Sequence, residues 1–174
     1  MKQVDLIARI LQDAQTINKL NDDIRQANKE AGKPAFRRSG SEASRLVDES
    51  YNDLAFPGGL EQGLALLDKK DPNTIAIAIT YLKADPYYFR SGYIKKKIAH
   101  LLKKADLTRQ QVTQLQKILI TLLTSNYWFY MEYCRLARKI QDPQFQEKIQ
   151  TIIAHSQDTR EIRRAQKMLE VMRS

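Results

Sequence analysis

The fold is decided by residues 71–106, which read DPNTIAIAITYLKADPYYFRSGYIKKKIAHLLKKAD. Asp71 followed by Pro72 is typical of a helix start, because an aspartate side chain caps free backbone N–H groups and proline suits the first helical position. Aliphatic residues then recur at helical spacing on both sides of the break Ala84-Asp85-Pro86. The stretch therefore predicts a helical hairpin, with helices over residues 72–83 and 87–104.

The same arrangement recurs twice further along the chain. Asp106-Leu107-Thr108 and Asp142-Pro143-Gln144 also open helices, so that the three starts at residues 72, 108 and 143 are separated by 36 and 35 residues. The later helices are predicted over residues 108–124, 127–140, 143–155 and 158–173. A helix-turn-helix unit that recurs at this interval is typical of an α-solenoid, because no single unit can bury its apolar face alone.

Residues 71–174 thus resemble the HEAT-like class of helical repeats, and the resemblance is one of architecture. The Trp/Gly/Tyr pattern of tetratricopeptide repeats and the Thr-Pro-Leu-His of ankyrin repeats are not present. The resemblance implies three stacked hairpins with bounds at 71–106, 107–142 and 143–174. An irregular helical bundle with even loop spacing is the alternative.

The N-terminal part completes an all-α prediction. Residues 1–31 contain no Pro or Gly and predict one long amphipathic helix, residues 32–41 predict a linker, and residues 42–70 predict two shorter helices that pack on the repeats. Ile10, Ile17 and Ile24 lie seven residues apart, a short heptad seam that would allow a homodimer through this helix. The alternative is that the helix packs onto the chain's own body.

The net positive charge of the chain comes entirely from the predicted repeats. Residues 1–31 and 32–70 each balance their charges, whereas the three repeats carry excesses of 4, 3 and 2 that together make the net +9. This asymmetry indicates an acidic partner, which could be nucleic acid, an anionic lipid surface or an acidic protein. A solubilising surface is the alternative.

Basic residues recur on the face of each second helix opposite its apolar face, and would align into one wall if second helices stack. Solenoids bind partners along such extended surfaces. The predicted partner-binding residues are Arg90, Lys95, Lys96, Lys97, Arg135, Arg138, Lys139, Arg160, Arg163, Arg164 and Lys167. Lys103 and Lys104 lie on the same predicted wall.

Aromatic residues gather in two clusters, near the start of the second helix in each of the first two hairpins. The candidate aromatic residues are Tyr87, Tyr88, Phe89, Tyr93, Tyr127, Trp128 and Tyr130. Aromatic faces beside a positive groove are what single-stranded nucleic acid needs, since bases stack on rings while Lys and Arg neutralise phosphates. The alternative is that these side chains fill the core.

Little in the sequence predicts catalysis. Trp128, Glu132 and Arg135 project along one helix face and loosely resemble the aromatic and acidic pair of HEAT-like DNA glycosylases, although an ordinary Glu132–Arg135 surface pair explains the spacing equally. Neither a glycine-rich phosphate loop nor a Gly-x-Ser-x-Gly elbow occurs, and the two histidines lack metal-site spacing. We expect no metal, no cofactor and no enzyme activity.

Cellular location follows from cysteine use and hydropathy. Cys134 is the single cysteine, so no intrachain disulfide forms and a reducing cytoplasm is expected. The opening residues are not followed by an apolar run, and the longest aliphatic stretch, residues 118–123, is too short to span a membrane.

The sequence therefore predicts a cytoplasmic, non-catalytic scaffold that docks an acidic partner, with protein favoured because no nucleic-acid-binding motif is present. A nucleic-acid-binding protein is the alternative.

Overall fold

The computed structural model describes residues 3–30, 49–124 and 131–174, and every regular element in them is helical. The all-α prediction is confirmed. The helices are α1 (Gln3–Glu30), α2 (residues 49–54), α3 (Leu60–Asp68), α4 (Pro72–Ala84), α5 (Ser91–Lys104), α6 (Arg109–Thr124), α7 (Met131–Ile140), α8 (Pro143–His155) and α9 (Thr159–Arg173). The predicted linker, residues 32–41, lies outside the described residues.

The predicted helix starts rest on side-chain caps. The Asp71 carboxylate accepts from the Thr74 N–H at 2.8 Å, and Asp142 accepts from the Phe145 N–H at 2.7 Å, each with proline at the first helical position. At the start of α6, the Thr108 N–H donates to the Gln111 side chain while the Gln111 N–H donates to the Thr108 hydroxyl. These caps satisfy N–H groups that have no partner inside the helix.

The start of α5 was predicted wrongly, at residue 87 instead of Ser91. Asp85 and Arg90 both adopt left-handed backbone, with φ of 45° and 67°. A right-handed helix cannot run through such residues, because L side chains crowd the following carbonyl there. The residues between them form a loop, so the first hairpin has a longer connection than its Asp-Pro break suggested.

The chain divides into two compact units, Met1–Gly92 and Tyr93–Ser174, which we call unit 1 and unit 2. The division falls within the predicted first hairpin, residues 71–106. That hairpin therefore contributes α4 to unit 1 and most of α5 to unit 2.

In unit 1, α1 and α3 both pack against α4. The face of α1 that carries Ile10 and Ile17 is buried, and Ile17 is only 2% exposed. These two residues supply the first part of the predicted heptad seam, and the chain itself covers them. A second chain would therefore have to use another face of α1.

In unit 2, hydrogen bonds join the C-terminal ends of alternate helices. Lys139 near the end of α7 donates to the Ala105 carbonyl after α5, 34 residues earlier, and Gln141 after α7 donates to the Met172 carbonyl of α9, 31 residues later. The C-terminal ends of α5, α7 and α9 therefore lie close together. This recurrence near the predicted 35-residue period is compatible with a helical repeat.

Candidate interaction surface

All of the net charge belongs to unit 2. Unit 1 contains 13 basic and 13 acidic residues, whereas unit 2 contains 16 basic and 7 acidic residues, a net of +9. The boundary found in the structure therefore coincides with the change in charge. Long-range attraction of an acidic molecule is directed at unit 2.

Three helices of unit 2 carry exposed or half-exposed basic residues on the face opposite their buried one. The spacing of i, i+3, i+4 and i+7 puts the basic residues of each helix in one stripe. We call the three stripes together the basic surface. It consists of Lys96, Lys97, Lys103 and Lys104 on α5, Arg135, Arg138 and Lys139 on α7, and Arg160, Arg163, Arg164 and Lys167 on α9.

Charges on one helix act on groups of the next. The pKa of His100 on α5 is lowered by partial burial and by Lys104, Lys103 and Lys97, while Glu132 on α7 acts in the opposite direction. Burial raises the pKa of the Cys134 thiol on α7 to about 11, and Lys167 on α9 opposes that shift. His100 thus lies close enough to Glu132, and Cys134 close enough to Lys167, for charges on one helix to act on groups of another.

Carboxylates lie beside the basic residues of α7 and α9, but none occurs within α5. On α7 the Arg135 guanidinium lies 3.6 Å from Glu132, and on α9 Lys167 lies 2.9 Å from Glu170. Residues 91–104, which form α5, contain no Asp or Glu. The α5 helix itself therefore supplies no carboxylate to its own stripe.

Two predicted partner-binding lysines have structural roles. Lys95 is 6% exposed and belongs to the buried side of α5, so it is wrongly placed on an exposed surface. The Lys139 ammonium donates to the Ala105 carbonyl at 2.7 Å and so satisfies a carbonyl at the C-terminal end of α5. Arg90 lies outside the basic surface, in unit 1, with its guanidinium 5.1 Å from the centre of the Phe89 ring.

The first aromatic cluster separates into exposed and buried members. Tyr87, Phe89 and Tyr93 are 63%, 40% and 74% exposed, whereas Tyr88 is buried. The Tyr88 hydroxyl donates to the Ala55 carbonyl at 2.6 Å, so the Tyr81 hydroxyl, which pairs with it, must be the donor of that second bond. Tyr88 is thus a core residue and was wrongly proposed as a binding surface.

The loop that carries Tyr87 and Phe89 is fixed by other segments of unit 1. Asn18 of α1 donates to the Tyr87 carbonyl at 2.9 Å, and the Tyr51 hydroxyl donates to the Phe89 carbonyl at 3.2 Å. Two aromatic side chains are therefore held towards solvent on an anchored backbone.

The remaining predicted site residues give a partial picture. Tyr127, Trp128 and Tyr130 lie outside the described residues. Glu132 is paired with Arg135, as the surface-pair interpretation of their spacing requires. Within residues 3–30, 49–124 and 131–174, no group of three His, Cys, Asp or Glu side chains is placed to hold a metal ion, and no helix has the length and apolarity to cross a membrane.

His100 is a candidate binding residue that the sequence analysis left out. It lies three residues after Lys97 and four before Lys104, so helical spacing alone puts it in the middle of the α5 stripe. That signal is present in the sequence, but a neutral histidine adds nothing to the net charge of +9.

Comparison of the chain with protein-family models, curated proteins and solved structures gives no match.

Proposed function

We propose that this chain is a non-catalytic scaffold with HEAT-like stacked hairpins, which docks an acidic protein along the basic surface of unit 2. The observation that carries the proposal is the concentration of the entire +9 charge in unit 2, where α5, α7 and α9 each expose a stripe of basic residues. Interfacial charge complementarity steers association and rejects partners of the wrong sign.

A protein partner is favoured over nucleic acid because acidic side chains lie within the surface. Glu132 and Glu170 would face phosphates at close range, and a uniformly negative backbone has no positive groups to meet them. A folded acidic protein can place its own cations there. The exposed rings of Tyr87, Phe89 and Tyr93 support the alternative of single-stranded nucleic acid, which the experiment below separates.

A cytoplasmic location forms part of the proposal. Burial holds the Cys134 thiol in its protonated form by raising its pKa to about 11, which slows oxidation through the thiolate. With no second cysteine in the chain, folding needs no oxidising compartment.

Affinity capture with a charge-reversal variant tests the proposal. The variant K97E/R138E/R163E reverses one exposed residue on each stripe, and K19E/K69E/K83E makes the same charge change at exposed lysines of unit 1. Tagged wild-type and variant chains are incubated with nuclease-treated lysate of the source organism, and thermal melts confirm that all three fold. Surface substitutions of this kind usually change stability by about ±0.5 kcal/mol each.

We expect the wild type and the unit 1 variant to retain an acidic protein that K97E/R138E/R163E loses by at least about tenfold. Equal capture by all three folded proteins would refute docking on the basic surface. Oligonucleotide binding that weakens steeply and log-linearly between 50 and 200 mM salt, and is lost in the same variant, would replace the protein partner with nucleic acid.

A further inference from the structure

The α5 stripe differs from the other two stripes of the basic surface in its composition. Five nitrogen-bearing side chains follow one another along one face over residues 96–104, and no carboxylate lies within that helix. They are Lys96, Lys97, His100, Lys103 and Lys104. The equivalent stripes on α7 and α9 both contain a carboxylate paired with a basic side chain.

His100 lies at the centre of this stripe and is half-exposed. Its pKa lies below the ordinary value of 6.5 because partial burial and Lys104, Lys103 and Lys97 all disfavour a further positive charge. The opposing group is Glu132 of the neighbouring helix α7, whose carboxylate is already paired with Arg135 at 3.6 Å. In the free protein at neutral pH, the imidazole is therefore mainly neutral.

A carboxylate-rich ligand would shift His100 from its neutral form towards its protonated form. Negative charges placed beside Lys97, Lys103 and Lys104 offset the repulsion that these lysines exert on an imidazolium. The protonated form of His100 is then favoured in the complex, and it adds a charge-assisted hydrogen-bond donor. Binding of the acidic ligand therefore favours protonation of His100, and protonation of His100 favours binding of the ligand.

We propose that the α5 stripe is the main contact for an Asp- and Glu-rich segment of the partner, and that His100 takes up a proton as this segment docks. The inference rests on the proposed function and specifies which part of the basic surface dominates. The segment is a peptide because the proposed partner is an acidic protein. Its carboxylates stay ionised between pH 6 and 8, which leaves histidine as the titrating group.

The test uses a fluorescent peptide of alternating Asp and Glu residues as the probe, with affinity measured at pH 6, 7 and 8. Wild-type affinity should fall as the pH rises from 6 to 8, by roughly threefold to sixfold if docking raises the pKa of His100 by one unit, because the full tenfold change is reached only below the pKa of the free protein. H100Q should bind with an affinity that does not change with pH. H155Q, which alters the other histidine, should keep the wild-type pH dependence.

Two charge reversals separate failure of this inference from failure of the proposed function. K97E/K104E alters the α5 stripe and R160E/R163E alters the α9 stripe, and both change exposed residues. We expect the α5 variant to lose at least about tenfold more affinity than the α9 variant. Equal losses, or a pH dependence that persists in H100Q, would overturn the inference while leaving docking on the basic surface intact; no loss in either variant would contradict both.

Discussion

At the scale of single residues, the sequence shows which side chains are aromatic or basic but not which way each one faces. Tyr87, Tyr88 and Phe89 are consecutive, yet only Tyr88 is buried. No helical or strand periodicity distinguishes them, because the loop from Asp85 to Arg90 has left-handed residues at both ends. The division of the cluster therefore could not be predicted from spacing.

The hydroxyl of Tyr88 should contribute to stability. Y88F removes the donor to the Ala55 carbonyl and the acceptor of the Tyr81 hydroxyl, both in the core of unit 1. Leaving buried polar groups unsatisfied costs about 1–3 kcal/mol. Urea denaturation should show this loss for Y88F and almost none for Y87F, whose ring is 63% exposed. Equal midpoints for the two variants would show that the buried pair does not stabilise unit 1.

Gly63 in α3 gives a second residue-scale prediction. A Cβ atom at this position would overlap the Phe56 ring, coming within 2.6 Å of Cε1, and Phe56 is completely buried. Overpacking usually costs about 1–3 kcal/mol, while the gain in helix propensity from Gly to Ala is only about 1 kcal/mol. G63A should therefore lower the denaturation midpoint. A rise in the midpoint would mean that Phe56 moves at little cost.

At the scale of elements, helix starts with an Asp-Pro signature were predicted well. The starts of α4 and α8 match because cap and proline act locally. The start of α5 was missed because Arg90 adopts φ of 67°, a conformation that no local pattern signals, and it follows a loop that hydrogen-bonds to distant segments through Tyr88 and Phe89. Local caps can be predicted from sequence, whereas a loop conformation that accompanies distant contacts cannot.

The Asp142 cap should make stability depend on pH. Its carboxylate accepts from the Gln116 side chain and the Phe145 N–H, and these bonds lower the pKa of Asp142 below its ordinary value of 3.8. A lowered pKa in the folded state means that the stabilisation is complete above about pH 5, and that it is lost progressively as the pH falls past 3.8 and through the folded-state value.

Two substitutions of Asp142 test this linkage. D142A should lower the free energy of unfolding by about 1 kcal/mol at pH 7, since an N-cap is lost. D142N keeps a capping side chain, so it should be closer to wild type at pH 7 but lose less stability than wild type between pH 5 and 3. Denaturant melts at these pH values provide the measurement. Parallel pH profiles for wild type and D142N would rule out ionised Asp142 as a source of acid sensitivity.

At the scale of the whole molecule, the all-helical class, the near-35-residue recurrence and the basic C-terminal region were predictable from sequence. Hydrogen bonds between helix ends 34 and 31 residues apart are compatible with that recurrence. The division after Gly92 was not predictable, because it depends on which core each helix joins. The burial of Lys95 was also not predicted. Lys95 follows buried Ile94 on α5, and the amino-acid composition does not show that this lysine lies on the buried side of the helix.

Docking of an acidic protein on unit 2 is tested most directly by lysine footprinting. The chain is acetylated with and without the acidic protein that it captures, and the modified lysines are quantified by mass spectrometry. We predict protection of Lys97, Lys103 and Lys104 on the α5 stripe, with unchanged reactivity at the unit 1 lysines Lys19, Lys69 and Lys83. The proposed function would be contradicted if only the unit 1 lysines were protected. It would also be contradicted if all six lysines reacted equally with and without the acidic protein, in a complex shown to be intact.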